Sequence, residues 1–200
     1  MKHMELHPSG QYYVDAHLLP YARISVVMNM LRRPDIELLE RQGKLRLSQE
    51  RANMGTRFHK TMTAKRIRPD RAALDMKEYQ ESYRLFARRH GVKRYEKERI
   101  VYSEQYRYAG RPDTRFFAFE KRILGDYKTG PFRWEHGVKM CAYEFASREM
   151  GLPPSDELWG IQVFANGQAA KVIRVPYEPS IFLQLLAPYR KWKEAYQAFQ

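Results

Sequence analysis

The chain has a single cysteine, Cys141, among its 200 residues. One thiol cannot form an intrachain disulfide framework, a four-cysteine zinc site or a cysteine-ligated iron–sulfur cluster. We therefore expect no iron–sulfur cofactor. A protein without disulfides also fits a reducing compartment, which predicts a cytoplasmic location.

Long apolar runs are missing as well. No stretch reaches the roughly 18 consecutive apolar residues of a membrane-spanning helix. The first six residues, MKHMEL, are not followed by the apolar segment of a secretory signal peptide. These absences predict a soluble protein with no membrane partner.

Acidic residues are scarce. Lys and Arg number 36 against 23 Asp and Glu, which gives a formal net charge of +13 and a pI near 9.8. An excess of this size favours binding to a polyanion, and nucleic acid is the first candidate. With 44% hydrophobic residues, the chain can bury a core of its own. A basic single-domain protein is therefore predicted, and its oligomeric state is left open.

The predicted secondary structure divides the single domain, residues 1–200, into three parts. Residues 1–95 are predicted to be mainly helical, residues 96–178 to form a sheet core with one crossing helix, and residues 179–200 to form a C-terminal helix. Short segments rich in aromatic and branched residues predict adjacent strands at 99–103, 105–109, 114–119 and 122–128. The expected fold is α/β, with a central mixed β-sheet flanked by helices and an N-terminal helical segment.

Apolar residues spaced three and four apart predict helices over residues 48–66, 74–89 and 134–150. The run from Ile24 to Leu31 is read as a short helix or strand. Asn166-Gly167 is a strong hairpin signal between strands at 157–165 and 168–177. Phe117 and Phe119 alternate on one strand face, which places them in the core, with stacking on unpaired bases as the alternative.

The segments with the clearest chemistry are Gly110-Arg-Pro-Asp113 and Gly125-Asp-Tyr-Lys-Thr-Gly130. Residues two apart on a strand point the same way, so Asp126 and Lys128 share a face and Tyr127 points to the other. If the strand that holds Asp113 pairs with this one, two carboxylates and one ammonium meet at an end of the sheet. Such a set suits Mg²⁺ bound together with phosphate oxygens, and indicates phosphodiester hydrolysis.

Together with Gly55-Thr-Arg-Phe-His59, Glu98 and Tyr143, these motifs resemble the RecB-like branch of the PD-(D/E)XK nuclease superfamily, whose core is restriction-endonuclease-like. The match spans roughly residues 50 to 150. The segment from Tyr13 to Val27 is also similar to the opening of phage exonucleases and of the mitochondrial genome maintenance exonuclease.

This resemblance implies a catalytic site around one or two Mg²⁺ or Mn²⁺ ions. The residues it assigns to catalysis and metal binding are His59, Glu98, Asp113, Asp126 and Lys128, with the carbonyl of Tyr127 as a further ligand. Glu96 and Glu104 compete with Glu98, because strand register cannot be read from the sequence alone.

The nucleic-acid contacts expected beside the metal site are Arg57, Arg111, Arg115, Lys139 and Tyr143. Arg111 and Arg115 bracket Asp113 and are read either as phosphate clamps or as surface cations paired with Glu120 or Glu135. In the resemblance, the helix after the Asp-x-Lys strand often carries Gln-x-x-x-Tyr. Here Lys139 and Tyr143 occupy that spacing, and Lys139 either contacts a phosphate or is simply exposed.

The function that the resemblance implies is a metal-dependent DNA exonuclease acting in replication, recombination or repair, from a phage or a bacterium. A phage-encoded enzyme of this kind would work in the host cytoplasm beside replication or recombination proteins. A structure-specific endonuclease or nickase is an alternative, because the same core serves both. A non-catalytic nucleic-acid-binding protein is a second alternative.

Overall fold

The computed structural model describes residues 4–6, 12–14, 21–29, 53–58, 61 and 76–198. In chain order these form β1 (Met4–Leu6), β2 (Tyr12–Val14), β3 (Ala22–Arg23), α1 (Ile24–Asn29), α2 (Lys77–Arg89), β4 (Lys93–Lys97), β5 (Val101–Ser103), β6 (Tyr108–Gly110), β7 (Thr114–Ala118), β8 (Lys121–Lys128), α3 (Trp134–Glu149), β9 (Glu157–Gln162), β10 (Lys171–Val175) and α4 (Ser180–Ala198). Residues 53–58 are also helical. None of the helices within these ranges is long and apolar enough to span a membrane.

The strands form one five-stranded sheet and two smaller ones. The large sheet has the order β10-β9-β8-β7-β4, in which only β8 and β9 run parallel. A parallel pair needs a crossover, and α3 supplies it between β8 and β9. The small sheets are β3-β6-β5 and β1-β2. The predicted α/β fold, a central mixed sheet flanked by helices, is confirmed.

The hairpin between β7 and β8 aligns the two strands that carry the Asp motifs. Ala118 pairs with Lys121, and the two turn residues, Phe119 and Glu120, have positive φ values of 47° and 66°. Two consecutive residues of this kind form the turn whose twist matches that of an antiparallel pair. The short turn fixes the register along both strands.

Each face of the large sheet has its own core. On the face toward α2, the buried side chains are mostly aromatic or branched: Phe58, Phe86, Phe116, Ile123, Tyr127, Trp159 and Ile161. On the other face, Leu124 packs with residues of α3 and α4, including Met140 and Phe182. Alternation along β8 therefore sends Ile123 and Tyr127 to one core and Leu124 to the other.

Several local predictions need correction. The strands predicted at 99–103 and 105–109 are shorter, β5 and β6, and they belong to the three-stranded sheet, apart from β7 and β8. The large sheet instead gains β4, which the sequence did not reveal because its residues KRYEK are mostly charged. Eight residues separate Gln162 from Lys171, so Asn166-Gly167 lies in a wider loop than a two-residue turn.

Phe117 and Phe119 are not core residues. Phe116 and Ala118 face the α2 side of β7 and are buried, whereas Phe117 is partly exposed and Phe119, in the turn, is largely exposed. The prediction is wrong because β7 ends at Ala118, which puts Phe119 in the turn, and because Phe117 lies on the face opposite the buried Phe116 and Ala118. The helix predicted at 74–89 is present as α2. Of the helix predicted at 48–66, residues 53–58 and 61 are helical. The remainder of that predicted helix lies outside the described residues.

Candidate active site

Asp113 and Asp126 meet where β7 begins and β8 approaches its end. Thr114 pairs with Gly125 across the two strands, which sets Asp113 beside Asp126. The backbone N–H of Tyr127 donates a hydrogen bond to Asp113 Oδ2 at 2.8 Å. The strand pairing on which the sequence argument depended is therefore present.

The alternation predicted for Asp126, Tyr127 and Lys128 is confirmed. Lys128 forms a close ion pair with Asp126 Oδ2, and its ammonium also donates to the Tyr127 carbonyl at 3.0 Å. The Tyr127 ring lies on the opposite face, with its centroid 6.1 Å from that of Phe58. The charged side chains thus share the face that α3 covers, and the aromatic ring packs behind them.

Helix α3 adds a second ammonium to the site. Lys139 Nζ lies 3.4 Å from Asp126 Oδ1 and 5.4 Å from the centroid of the Tyr143 ring, one helical turn further along. We call Asp113, Asp126, Lys128 and Lys139 the Asp126 cluster. Its members come from the β7–β8 hairpin and from the helix that crosses it.

A glycine on β9 lets the segment before α3 lie close to the sheet. A Cβ at Gly160 would stand 2.2 Å from Phe132 Cε2, so only glycine leaves room for this ring. Phe132 precedes Trp134, the first residue of α3, by two positions. The same close approach brings the first half of α3, with Lys139, over Asp126.

Electrostatics keep the Asp126 cluster charged. Burial opposes ionisation of Asp126, but Lys128 and Lys139 outweigh it and hold the pKa of this carboxyl well below its usual range. Burial also opposes the charge on Lys139, yet Tyr143, Asp126 and Asp113 raise the pKa of its ammonium. Burial raises the pKa of Tyr143 to about 12. A carboxylate at Asp126, an ammonium at Lys139 and a neutral phenol at Tyr143 are the expected states at neutral pH.

The oxygen atoms present suit a hard divalent cation. Mg²⁺ prefers oxygen ligands and is commonly held by one or two carboxylates together with substrate phosphates and water. Asp113, Asp126 and the Tyr127 carbonyl supply such oxygens. Asp126 Oδ2 is buried and contacts Lys128 without forming a regular hydrogen bond. Within the described residues no three His, Cys, Asp or Glu side chains converge, so phosphate and water would have to complete the shell.

Of the three competing glutamates, Glu98 lies beside Asp113. Its N–H donates to the Asp113 carbonyl at 3.3 Å, and its carboxylate lies 3.9 Å from Arg111. Glu96 is instead paired with Arg99 and Arg115. Glu104 borders a small pocket with Tyr102, Glu149 and Met150. Glu98 therefore remains the candidate of choice.

His59 lies outside the described residues, and the helical segment 53–58 before it packs near the end of β8. A Cβ at Gly55 would stand 3.5 Å from the hydroxyl of Thr129, just after β8. Phe58 packs against Tyr127. Arg57, a predicted DNA contact, is exposed on the same short helical segment.

Arg115 is not available to a phosphate, and that prediction is wrong. Its guanidinium is buried, bonds to Ser147 and Ser155, and lies 3.3 Å from Glu96 and 3.6 Å from Glu144. These five residues form the Arg115 cluster. Glu120 and Glu135, the acidic partners considered from the sequence, are not its partners. The reason is that Arg115 points beneath α3, which shields it from solvent.

Tyr143 is also unsuited to contact nucleic acid with its ring. The side chain is buried, and a Cβ at Gly110 would stand 2.4 Å from its Cε1 atom. The ring packs against β6. Lys139 was expected to be exposed or to meet a phosphate, and its pairing with Asp126 was missed. No local pattern in the sequence signals this pairing, because it depends on how α3 crosses β8. Arg111 is exposed, as a phosphate contact requires.

No protein-family model and no curated protein sequence matches the chain. Among solved structures, the crystal structure of SSO0001 is similar to it with a TM-score of 0.38 and 14% sequence identity, over 82% of this chain and 71% of the other. A likeness at this level supports no conclusion about fold or function.

Proposed function

We propose that this protein is a metal-dependent DNA exonuclease that resembles the RecB-like branch of the PD-(D/E)XK superfamily. The observation that carries the proposal is the pairing of β7 with β8, which joins Asp113 to Asp126 and Lys128. Two adjacent carboxylates with a lysine on the same strand face suit metal-assisted phosphodiester hydrolysis.

In this proposal Asp113, Asp126 and the Tyr127 carbonyl hold Mg²⁺ or Mn²⁺, and Glu98 and His59 belong to the surrounding shell. The bound ion supplies a Lewis acid that lowers the pKa of water and neutralises charge on a phosphate. Asp113 accepts its hydrogen bond from the Tyr127 N–H. That bond orients one carboxylate relative to the other and fixes the spacing of the oxygens.

The two lysines place positive charge where a phosphate oxygen gains negative charge during attack. Fixed cations of this kind stabilise a transition state most strongly where water is largely excluded. Lys128 approaches from β8 and Lys139 from α3, and both contact the Asp126 carboxylate. With an ion held by Asp126, the ammonium groups of Lys128 and Lys139 would lie beside the carboxylate where a phosphate oxygen would bind. Lys139 therefore joins Lys128 as a catalytic residue in the proposal.

The net charge of +13 supports attraction of a polyanionic substrate. Binding that depends on phosphate contacts weakens steeply with salt because counterions are released. Arg57 and Arg111, both exposed, are the proposed DNA contacts. We place the protein in the cytoplasm, of the host if a phage encodes it, alongside replication or recombination proteins.

The test is digestion of two single-stranded DNA substrates, one linear and end-labelled and one circular, with Mg²⁺, Mn²⁺ or EDTA. Wild type and Asp126→Ala are compared side by side. Glu104→Ala is the matched control, because it removes a carboxylate that borders a different pocket. We expect wild type and control to degrade linear DNA only, with metal present, and Asp126→Ala to degrade neither substrate.

Cleavage of the circle would make the protein an endonuclease or nickase with the same site. DNA binding without cleavage under every metal condition would contradict the proposal that the protein is an enzyme. Equal activity of Asp126→Ala and wild type would show that another part of the chain performs the hydrolysis.

A further inference from the structure

Two exposed aromatic rings lie together on the large sheet, at the end of β7 away from Asp113. The side chains of Tyr95 and Phe117 are 45% and 37% exposed, and their ring centroids are 4.9 Å apart. The pair leaves apolar surface of both rings in solvent, which a binding partner would cover. The active site proposed above makes no use of them.

The local backbone presents the Tyr95 ring. The pairing of β4 with β7 shifts register between Arg94 and Glu96, so Tyr95 is the extra residue of a β-bulge. Bulges re-aim a side chain and are common beside functional surfaces. The phenol interacts with the Arg115 guanidinium, which is itself buried. The ring is therefore held from one end and packs against Phe117, while 45% of the residue stays exposed.

Two cationic residues flank the aromatic pair on neighbouring strands of the sheet. Phe117 is paired with Lys93 on β4 and with Arg122 on β8, and directly paired residues share a face of the sheet. Lys93 is exposed. Arg122 is partly exposed, donates to the Pro154 carbonyl at 2.9 Å and lies 3.9 Å from Asp156. Lys93, Phe117 and Arg122 therefore form a row across three strands, with the ring between the two cations.

The nature of the edge argues against a protein strand as the partner. In the described part of the chain, β4 is the outer strand of its sheet, and it begins and ends with lysine. Charged residues and a bulge are devices that prevent a second strand from pairing there. The remaining chemistry, stacking faces beside positive charge, matches a nucleic acid with unpaired bases.

We propose that Tyr95 and Phe117, with Lys93 and Arg122, form a platform that binds single-stranded DNA. This deepens the proposed nuclease, and it rests on that function for the identity of the nucleic acid as substrate DNA. Arg122 and Asp126 lie on one face of β8, four residues or about 13 Å apart. The platform thus binds the substrate strand away from the site of cleavage.

The experiment measures binding by fluorescence anisotropy of a labelled oligodeoxythymidylate in EDTA, where metal-dependent cleavage is blocked. A blunt duplex of equal length is titrated in parallel. The variants are Phe117→Leu and Tyr95→Leu, which keep apolar bulk but lose the aromatic face, and Phe117→Trp, which keeps it. The control is Tyr177→Leu, since Tyr177 is equally exposed at 37%, and its ring packs against Arg148 and contacts none of the four platform residues in the contacts described.

Each leucine variant should bind the single strand about fivefold more weakly or worse. The leucine variants should bind the duplex with the affinity of wild type. Tyr177→Leu and Phe117→Trp should bind the single strand with the affinity of wild type. Unchanged single-strand binding in the leucine variants would overturn the platform, as would an equal loss for duplex and single strand. Melting temperatures verify folding, and Tyr95→Leu at the sheet edge serves if Phe117→Leu does not fold.

These results separate the platform from the nuclease. Aromatic-dependent binding by a protein that cuts nothing with Mg²⁺ or Mn²⁺ would refute the nuclease alone. Metal-dependent cleavage together with undiminished binding by both leucine variants would refute the platform alone.

Discussion

Two charge clusters lie beneath the same helix, α3, and differ in their access to solvent. In the Asp126 cluster, the side chains of Lys128 and Lys139 are 19% and 22% exposed. In the Arg115 cluster, those of Arg115 and Glu144 are 3% and 0% exposed. Both clusters pair carboxylates with cations on one face of the sheet. The cations of the Asp126 cluster are thus partly open to solvent, whereas Arg115 and Glu144 are not.

The difference teaches that buried charge alone does not mark a catalytic site. The Arg115 cluster uses guanidinium and serine hydroxyl groups, and Glu144 also accepts the Ser155 N–H at 2.9 Å. It joins β7 to α3 and to the loop before β9. The Asp126 cluster uses compact ammonium groups, which suit a point charge near a phosphate. We assign a stabilising role to the Arg115 cluster and propose a catalytic role for the Asp126 cluster.

The largest expected effect is on stability. Replacing Arg115 by Met removes one partner of a buried ion pair and should lower the free energy of unfolding by about 3–5 kcal/mol. Arg148→Met is the matched control, because Arg148 contacts the same Glu144 at 2.9 Å but is exposed. Its loss should be under about 1 kcal/mol. Urea unfolding measures both. A smaller loss for Arg115→Met than for its control would contradict the assignment.

The Asp126 cluster should respond in the opposite way. Asp126→Asn keeps the size of the side chain but removes its charge, and we expect cleavage to fall at least about a hundredfold. The melting temperature should change much less than in Arg115→Met. Initial rates on end-labelled DNA, corrected for the folded fraction, provide the measurement. A variant that unfolds but keeps its rate per folded molecule would reverse the comparison.

Lys139 sharpens the comparison further. Lys139→Gln removes one of the two cations beside Asp126, and its cleavage rate should fall about tenfold. Lys171→Gln, at an exposed lysine on β10, is the control for a general loss of positive charge. If both variants slow cleavage equally, the effect comes from overall charge and Lys139 has no particular role.

Much of the Asp126 cluster could be predicted from the sequence. Strand alternation placed Asp126 and Lys128 on one face, and the strands predicted at 114–119 and 122–128 are neighbours in the chain. Both depend on local rules that a strand obeys wherever it lies. The partner of Lys139 depends on how α3 crosses β8, which no local pattern specifies.

The Arg115 cluster and the aromatic platform could not be predicted for the same reason. Arg115 and Phe117 have the same parity on β7, yet one is buried and the other exposed. The contrast arises because α3 covers Arg115 through Glu144 and Ser147 and does not cover Phe117. Strand β4 was missed because edge strands are often charged, which conceals their pattern.

The smallest effect is expected at Glu157, which links the strands outside both clusters. Lys121, Trp159 and Arg174 donate to its carboxylate and lower its pKa to about 2 from 4.5. A lowered pKa stabilises the fold above about pH 4.5, and this contribution is lost as the pH falls toward 2. Glu157→Gln should lose less stability over that range, by under about 1 kcal/mol. Urea unfolding between pH 5 and 2 measures the difference, and parallel curves for the two proteins would contradict it.

The most direct test of the central claim is calorimetric titration of Mn²⁺ in the presence of an uncleavable phosphorothioate strand. Wild type, Asp126→Asn and Arg115→Met are titrated at equal folded concentration. We predict that wild type and Arg115→Met bind the ion and that Asp126→Asn does not. Equal Mn²⁺ binding by wild type and Asp126→Asn would contradict the assignment of this cluster as the metal site.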